Sequence, residues 1–297
     1  MLGSWFGKLI ALSSAFIWAF AVILFKRAGD VMRPVPLTLY KTIIAFVLLL
    51  PVMWFAGVPF IPPEVNSNDW VMVSLSGIIG ISIADSLFFI CLNLLGAGLT
   101  AIVDCLYSPM VIGLSWFLLA EPSQPIQLAG ALLVIAAVLV ATFERPEKKL
   151  EPKKVVLGVL SGAGAMFFMA WGIVQMKPAL NKTSVFWVTE LRLLAAFCVL
   201  VVMVLVHKKR KEWIGSLINL KNWRHALPAT ILGNVMAMTL WVAAFKFTDV
   251  NSAAILNQTN TIFIVILATL ILKEPFTPRR IIASLLATGG SILVLLN

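Results

Sequence analysis

Ten apolar runs of roughly 17–25 residues, the length of a membrane-spanning helix, follow one another along this chain of 297 residues. They lie at residues 6–25, 37–57, 69–93, 99–119, 125–143, 155–176, 185–206, 226–246, 251–272 and 280–296. Hydrophobic residues make up 61% of the chain and charged residues only 12%, which excludes an ordinary soluble domain. The sequence therefore predicts an all-α integral membrane protein with ten transmembrane helices.

The second half of the chain repeats the first with a shift of 153 residues. The shift pairs Trp18 with Trp171, Gly80 with Gly233, Asp104 with Asn257, and Glu121-Pro122 with Glu274-Pro275. We predict a first five-helix repeat at residues 1–143, a charged linker loop at 144–154 and a second five-helix repeat at 155–297. Because five is odd, the repeats cross the membrane in opposite orientations. Inverted repeats with a site between them are typical of secondary transporters.

Positive charge is very unevenly distributed between the two predicted sides of the membrane. Loops 1–2, 5–6, 7–8 and 9–10 hold 17 Lys or Arg residues, whereas the opposite side holds only Lys8, Lys177, Lys182 and Lys246. Basic loops remain in the cytoplasm, so we predict a multi-pass protein of the plasma (inner) membrane with both termini extracytoplasmic. This topology and anionic lipid headgroups account for the net charge of +10, and nucleic acid is not a predicted partner.

Residues that would indicate an enzyme or a bound metal are not grouped in this sequence. The three cysteines fall in apolar spans without metal-ligand spacing, and both histidines fall in one basic loop. We therefore predict no cofactor, no metal and no enzymatic activity. A membrane enzyme acting on a lipid-linked substrate is the alternative, but the chain has no Ser/His/Asp set or interfacial Asp-x-x-Asp pair to support it.

Three repeated motifs resemble those of EamA-type members of the drug/metabolite transporter superfamily. They are Trp18-Ala19 and Trp171-Gly172 in the first helix of each half, Lys41 before Ala45-Phe46 and Arg192 before Ala196-Phe197 in the second, and the Glu-Pro pairs Glu121-Pro122 and Glu274-Pro275 after the fourth. The resemblance implies a ten-helix inverted-repeat carrier of small metabolites. Members of this superfamily usually have cytoplasmic termini, whereas the charge distribution here predicts the reverse.

Ionisable side chains inside the spans are candidates for function, because hydrocarbon disfavours them. Asp85 is the deepest, and it shares a polar stripe of the third span with Ser82, Ser86, Phe89 and Asn93. The two serines are more simply a hydrogen-bonded seam between helices.

Lys41 lies at a depth similar to that of two acids, and we predict a pair with Asp85 or with Asp104. One carboxylate is then left over to exchange a proton. In the second half Glu190 and Arg192 carry the charge, but residues two apart on a helix do not face each other. Arg192 pairs elsewhere, meets an anionic group of the substrate, or extends to the membrane interface.

Polar and aromatic residues suggest the walls of a central cavity. Asp104, Tyr107 and Ser108 form a one-turn patch on the fourth span, and Asn257, Asn260 and Thr261 form its counterpart on the ninth. Either these patches line a cavity or they satisfy a kinked backbone. Mid-span Trp18, Trp171, Gln175, Asn234 and Trp241 would complete the cavity and hold an amphipathic solute or organic cation, or they pack against other helices.

The sequence thus predicts a secondary-active transporter of small metabolites that works by alternating access. It is a proton-coupled or exchange carrier, with export favoured over uptake. Its predicted partners are a small-molecule substrate, protons and the lipid bilayer, and it acts as a monomer or weak homodimer.

Overall fold

The computed structural model describes residues 2–119, 125–142, 151–248, 253, 256–257, 259–275 and 277–295. These residues form helices and loops without any strand, which confirms the all-α prediction. The helices are α1 (Leu2–Gly29), α2 (Pro34–Phe55), α3 (Ser67–Leu95), α4 (Ala97–Asp104), α5 (Tyr107–Leu119), α6 (Pro125–Thr142), α7 (Pro152–Lys182), α8 (Val185–Val206), α9 (Arg210–Ile218), α10 (Leu220–Phe247), α11 (Asn260–Leu272) and α12 (Pro278–Leu295).

Local sequence signals explain where several helices begin. Helices α2, α6, α7 and α12 each start at a proline, whose fixed φ suits the first helical position and whose missing N–H is not needed there. Helix α3 starts at a capping box in which Asn66 and Asp69 satisfy each other's backbone N–H groups. Between such boundaries the apolar runs continue as helices, because a backbone in hydrocarbon must bond to itself.

Seven stretches of the described chain are long and apolar enough to cross a membrane: Phe6–Gly29, Pro34–Phe55, Ser67–Leu95, Ala97–Leu118, Pro152–Lys182, Val185–Val206 and Leu220–Phe247. Two shorter apolar helices cover Leu128–Ala141 and Asn260–Leu272. Helix α12 adds 18 residues. The chain is therefore a multi-pass membrane protein, and the count of ten spans stays a prediction.

Helix packing follows a two-fold pattern between the halves. Helix α1 packs against α10 and α11 of the second half, and α7 packs against α3 and α5 of the first. Helix α2 packs against α8, and α6 against α12. Exchanging the two halves leaves this set of contacts unchanged, so the main interfaces join the repeats to each other.

Equivalent helices run in opposite directions. Gly7, near the start of α1, lies against the backbone of Phe247 at the end of α10. At the same end of the bundle, Lys246 donates a hydrogen bond to the carbonyl of Thr183, just after α7. The start of α1 and the end of α7 therefore lie together. The other end carries Arg27, Arg33 and the short helix α9, and we call it the basic end.

Burial corrects the repeat register in the first helix of each half. The fully packed faces of α1 and α7 correspond at a shift of 151 residues, as from Ala11 to Gly162, and not at 153. The matching positions are Ala11, Ser14, Ala15, Ala19, Val22 and Phe25 in α1, and Gly162, Ala165, Met166, Ala170, Ile173 and Met176 in α7. Since burial reports which face of a helix meets its neighbours, Trp18 corresponds to Met169 and not to Trp171.

Later helices keep the 153-residue shift. Helix α3 contains a π-helical segment at Ile78–Ile83, and α10 contains its counterpart at Ile231–Ala237. Lys41 and Arg192 in the second helices follow the 151-residue shift of the first helices, because the buried run of α2 from Pro36 to Thr42 matches the run of α8 from Trp187 to Leu193. The halves thus share one pattern with a two-residue change of register between their second and third helices.

Glu274 joins the two repeats at the basic end. Glu121, of the other Glu-Pro pair, lies outside the described residues. The Glu274 carboxylate accepts hydrogen bonds from the backbone N–H groups of Ala97 at 2.7 Å and Gly98 at 2.9 Å, and so caps α4 of the first half. Gly96 precedes them with φ +83°, and a Cβ there would lie 2.8 Å from the Glu274 carboxylate. A larger residue at Gly96 would therefore disturb both the turn and the cap.

Candidate functional site

A cavity lies between the repeats and is lined by both. Seven positions of the first half line it together with their seven counterparts in the second half. The pairs are Trp18 and Met169, Lys41 and Arg192, Ile81 and Asn234, Asp85 and Met238, Phe88 and Trp241, Asp104 and Asn257, and Tyr107 and Asn260. The cavity therefore sits where the two-fold relation between the repeats exchanges one wall for the other.

The free space in this cavity is small. Its volume is about 70 Å³ at the centres of water-sized spheres, and one water takes about 10–15 Å³ on that measure. In this conformation the cavity holds a few water molecules or a solute of a few heavy atoms. A larger solute requires the helices to move apart.

The π-helical segments shape the cavity wall. A π turn inserts one residue into a helix and often marks a functional site. On α10 it places Asn234 opposite Lys41, and on α3 it ends just before Asp85. Ser14 of α1 donates to the carbonyl of Ala237 at 2.8 Å, which satisfies one backbone acceptor of the second π segment.

Lys41 and Asp85 form a buried ion pair. Lys41 Nζ lies 2.5 Å from Asp85 Oδ2, and their side chains are 2% and 9% exposed. The ammonium also donates to Asn234 Oδ1 of the other half at 3.3 Å and lies 5.8 Å from the centre of the Phe89 ring. Of the two acids that the sequence offers to Lys41, the structure pairs it with Asp85. A hydrogen-bonded partner from each repeat holds the ammonium in the cavity wall.

Arg192 is buried without an ion-pair contact among the described residues. Its exposure is 1%, and its Nε and Nη1 atoms have no hydrogen-bond partner there. The guanidinium carbon lies 5.8 Å from the centre of the Trp241 ring, and the Tyr107 ring is 6.3 Å from that of Trp241. The Tyr107 hydroxyl also lacks a hydrogen-bond partner among these residues. Arg192 therefore does not extend to the membrane interface.

The polar patches of α4–α5 and of the start of α11 meet where the fourth helix of the first half is broken. Helix α4 ends at Asp104, and α5 begins at Tyr107, two residues before Pro109, whose ring and missing N–H disfavour a continuous helix. Asn260 Nδ2 approaches Asp104 Oδ2 at 3.5 Å, and Thr261 donates to the carbonyl of Ala101 at 3.2 Å. The patches thus do both things expected of them: part lines the cavity and part satisfies the broken backbone.

Four predicted site residues do not line the cavity. Ser108 is fully buried within α5. Trp171 is half-buried on α7 outside the cavity, because Met169 takes the place of Trp18 in the second half. Gln175 bonds through its amide to the sulfur of Met72. Glu190 is 5% exposed, and neither carboxylate oxygen has a hydrogen-bond partner among the described residues.

The serine stripe of α3 ties helices together. Ser82 donates to the carbonyl of Ala196 on α8 at 3.2 Å. Ser86 lies 3.3 Å from the hydroxyl of Thr38 on α2 and also bonds to the carbonyl of Ser82 in its own helix at 2.6 Å. Ser76, further along the same helix, donates to the carbonyl of Gly172 on α7 at 2.7 Å. These serines form the interhelical seam that was the simpler interpretation of the stripe.

Several lining residues were not predicted as site residues: Ser14, Gly80, Ile81, Phe88, Met169, Ala237 and Met238. Most are apolar and carry no signal of their own. Phe88 and Met238 were nevertheless accessible by symmetry, since each lies 153 residues from Trp241 or Asp85. Applying the repeat to every candidate would have found both.

Comparisons with known proteins agree with this architecture. The model of the EamA-like transporter family matches residues 5–143 and again residues 156–296. None of the curated proteins compared with the chain matches it. Among the 28 matching chains of solved structures, one, described as the crystal structure of a protein, is 19% identical and has a TM-score of 0.70 over 97% of this chain and 95% of its own length. At that identity the likeness shows the fold alone. Because one family model matches both halves in succession, the chain belongs to the EamA-like transporter family of the drug/metabolite transporter superfamily.

Proposed function

We propose that this protein is a secondary-active carrier that moves a small metabolite across the membrane by alternating access. The observation that supports this most strongly is the cavity lined by seven pairs of equivalent residues. A site on the two-fold relation between repeats keeps the same surroundings when one repeat adopts the conformation of the other. The carrier then exposes one site first to one side of the membrane and later to the opposite side.

The buried pair of Lys41 and Asp85 is our proposed coupling element. The pair has two discrete states, because a proton on Asp85 removes its negative charge and releases Lys41. The ammonium also bonds to Asn234 of the other repeat, so its release would change a contact between the repeats. Asp104 is the second candidate for the coupled proton. In this scheme inward proton flow drives export of the substrate.

Orientation completes the proposal. The helix ends that carry Arg27, Arg33 and α9 lie together at the basic end, and we assign this end to the cytoplasm of the plasma (inner) membrane. With ten spans as two inverted repeats, both termini are then extracytoplasmic. An impermeant thiol reagent applied to intact cells should label a Lys8→Cys variant and leave Ser216→Cys unlabelled in a cysteine-free background. The reverse labelling contradicts the orientation.

Sealed vesicles test the carrier function. Purified protein is reconstituted into vesicles that contain a pH-sensitive dye, and a panel of amino acids, amines, nucleosides, sugars and carboxylates is added under a pH gradient. We expect at least one compound to move protons and to accumulate against its own gradient. Asp85→Asn should abolish accumulation and keep substrate exchange between the two sides, since exchange requires no net proton release. Wild-type accumulation in both Asp85→Asn and Asp104→Asn contradicts the coupling.

A second test addresses alternating access. Cysteines at Asp104 and Asn257 occupy equivalent positions in repeats of opposite direction. If the repeats exchange conformations, substrate should make one cysteine more reactive and protect the other. Parallel changes at both positions would show that the cavity does not alternate.

A further inference from the structure

Among the residues that the structure describes, acids line the cavity in the first repeat and not in the second. The counterpart of Asp85 in the second half is Met238, and the counterpart of Asp104 is Asn257. The basic position is kept in both, as Lys41 and Arg192. Among the described lining residues, the first half therefore has two acids for one cation, whereas the second half has a cation and no acid.

Arg192 carries a charge that the described residues do not pair. Asp85 is close enough for its charge to act on Arg192, but the contact of Asp85 is with Lys41, at 2.5 Å. A buried charge without a partner costs several kilocalories per mole, and such charges are normally paired or hydrogen-bonded. Nε and Nη1 of Arg192 have neither kind of partner among these residues. The N–H donors of the guanidinium are thus available to bind an anion that is not part of the protein.

We propose that Arg192 binds the carboxylate of an organic monoanion, with the apolar or aromatic body of the solute against Trp241 and Phe88. The proposal names the substrate class of the carrier proposed above and rests on it. A guanidinium presents planar N–H donors that match a carboxylate. The Tyr107 hydroxyl lies beside the Trp241 ring, lacks a hydrogen-bond partner among the described residues, and offers another donor.

Charge and aromatic geometry decide against other solutes. A phosphate dianion needs a second free cation, and Lys41 is already paired with Asp85. An organic cation would need a free aromatic face, but the Arg192 guanidinium already lies 5.8 Å from the centre of the Trp241 ring. An organic cation would also be repelled by the positive charge of Arg192 at short range. Asp104, the second acid of the cavity, belongs to the wall of the first half. A monoanion is the charge that neutralises Arg192 in the wall of the second half.

Binding to the purified full-length protein in detergent tests the proposal without any gradient. Calorimetry compares phenylacetate with its neutral isostere phenylacetamide and its cationic analogue 2-phenylethylamine, with acetate and inorganic phosphate as further probes. We expect phenylacetate to bind at least tenfold more tightly than each of the other four. Equal binding of phenylacetate and phenylacetamide overturns the proposal, as does preference for the amine or for phosphate. No detectable binding of phenylacetate also overturns it.

Two sets of variants locate the effect. Arg192→Gln should abolish the tenfold preference for carboxylate over amide, and Arg192→Lys should retain part of it. Met238→Asp gives the second half the acid that the first half has, and it should remove the preference without touching Arg192. Met238→Asn has the same size without the charge and should keep the preference. Loss of preference in Met238→Asn but not in Met238→Asp contradicts the proposal, and this arm holds even if Arg192 variants fail to fold.

The two proposals fail separately. A protein that binds phenylacetate through Arg192 but accumulates nothing in vesicles refutes the carrier function alone. A protein that accumulates a neutral or cationic solute, with no dependence on Arg192, refutes the substrate class alone.

Discussion

Lys41 and Arg192 occupy equivalent places in the two repeats, yet their surroundings differ. Lys41 has Asp85 at 2.5 Å, whereas Arg192 has Met238 at the position equivalent to that acid. Both cations lie 5.8 Å from an aromatic ring, Phe89 in one half and Trp241 in the other. The two halves share the backbone plan and a buried cation, but among the described residues only the cation of the first half has a counter-ion in contact. The two-fold relation between the repeats thus constrains the positions of side chains and allows their chemistry to differ.

The largest expected effect comes from removing Asp85, the counter-ion that the described residues provide in the first half and not in the second. Asp85→Met makes the first wall like the second and leaves Lys41 buried with an uncompensated charge. We expect the free energy of unfolding to fall by about 3–5 kcal/mol, as measured by thermal and denaturant unfolding in detergent. The matched change Arg192→Met removes a cation that no acid contacts in the part of the chain that the structure describes. It should lower stability by less than about 1 kcal/mol or raise it.

A double variant separates charge from packing. Lys41→Met combined with Asp85→Met removes both charges and should recover most of the stability lost in Asp85→Met. Equal losses for Asp85→Met and Arg192→Met would show that the two cations are balanced alike and would contradict the comparison.

A smaller effect is expected where the helices that carry the π segments approach their neighbours. A Cβ on Gly77 of α3 would lie 2.3 Å from the carbonyl oxygen of Arg192, so α3 and α8 touch backbone to backbone. The equivalent residue on α10 is Thr230, a buried threonine that bonds to Ala226 of its own helix. Gly77→Thr should cost about 1–3 kcal/mol by overpacking. Thr230→Gly should cost roughly 0.5–1 kcal/mol through helix propensity.

The exchange of residues between Gly77 and Thr230 can also be followed by ligand binding, because Gly77 packs against the backbone of Arg192. Binding of phenylacetate should weaken in Gly77→Thr and stay near the wild-type value in Thr230→Gly. Similar stability losses for the two variants would show that α3 and α10 pack against their partners equally tightly.

The smallest effect concerns the cap between repeats. Glu274→Ala removes the acceptor of two backbone N–H groups at the start of α4 and the partner of Arg280 at 3.4 Å. We expect a loss of about 0.5–2 kcal/mol in thermal unfolding experiments, the usual range for a lost helix cap. The stability loss in Glu121→Ala, measured in the same way, tests whether the Glu-Pro pair of the first half contributes as much as that of the second. A loss at one position only would mean that the motif has diverged as the counter-ions have.

The ion pair of the first half could be predicted from the sequence, because few groups in an apolar span can pair. The sequence could not decide between the two acids at a similar depth to Lys41. The side-chain positions in the structure show that its partner is Asp85. The family, the helical class and the two-repeat plan were equally accessible, since they depend on long apolar runs and repeated motifs.

Register and local backbone geometry could not be predicted in the same way. The match of Trp18 with Trp171 is exact in sequence, but helix rotation is decided by packing, and burial pairs Trp18 with Met169. The π segments of α3 and α10 require no special residue type, so their sequences read as ordinary helix. Glu190 was predicted as a charged site residue, but packing places it away from the cavity. It occupies the buried position that Leu39 fills in the first half.

The cap on α4 also determines when the first half can complete its structure during synthesis. The Glu274 carboxylate that satisfies the N–H of Ala97 lies 177 residues further along the chain. A ribosome therefore releases all of the first half before the residue that completes its fourth helix has been made. Helices α1 and α7 likewise find their main partners across the repeats. We therefore expect the first half to enter the membrane before its main packing partners have been synthesised. Its tertiary structure is complete only after the second half has been inserted.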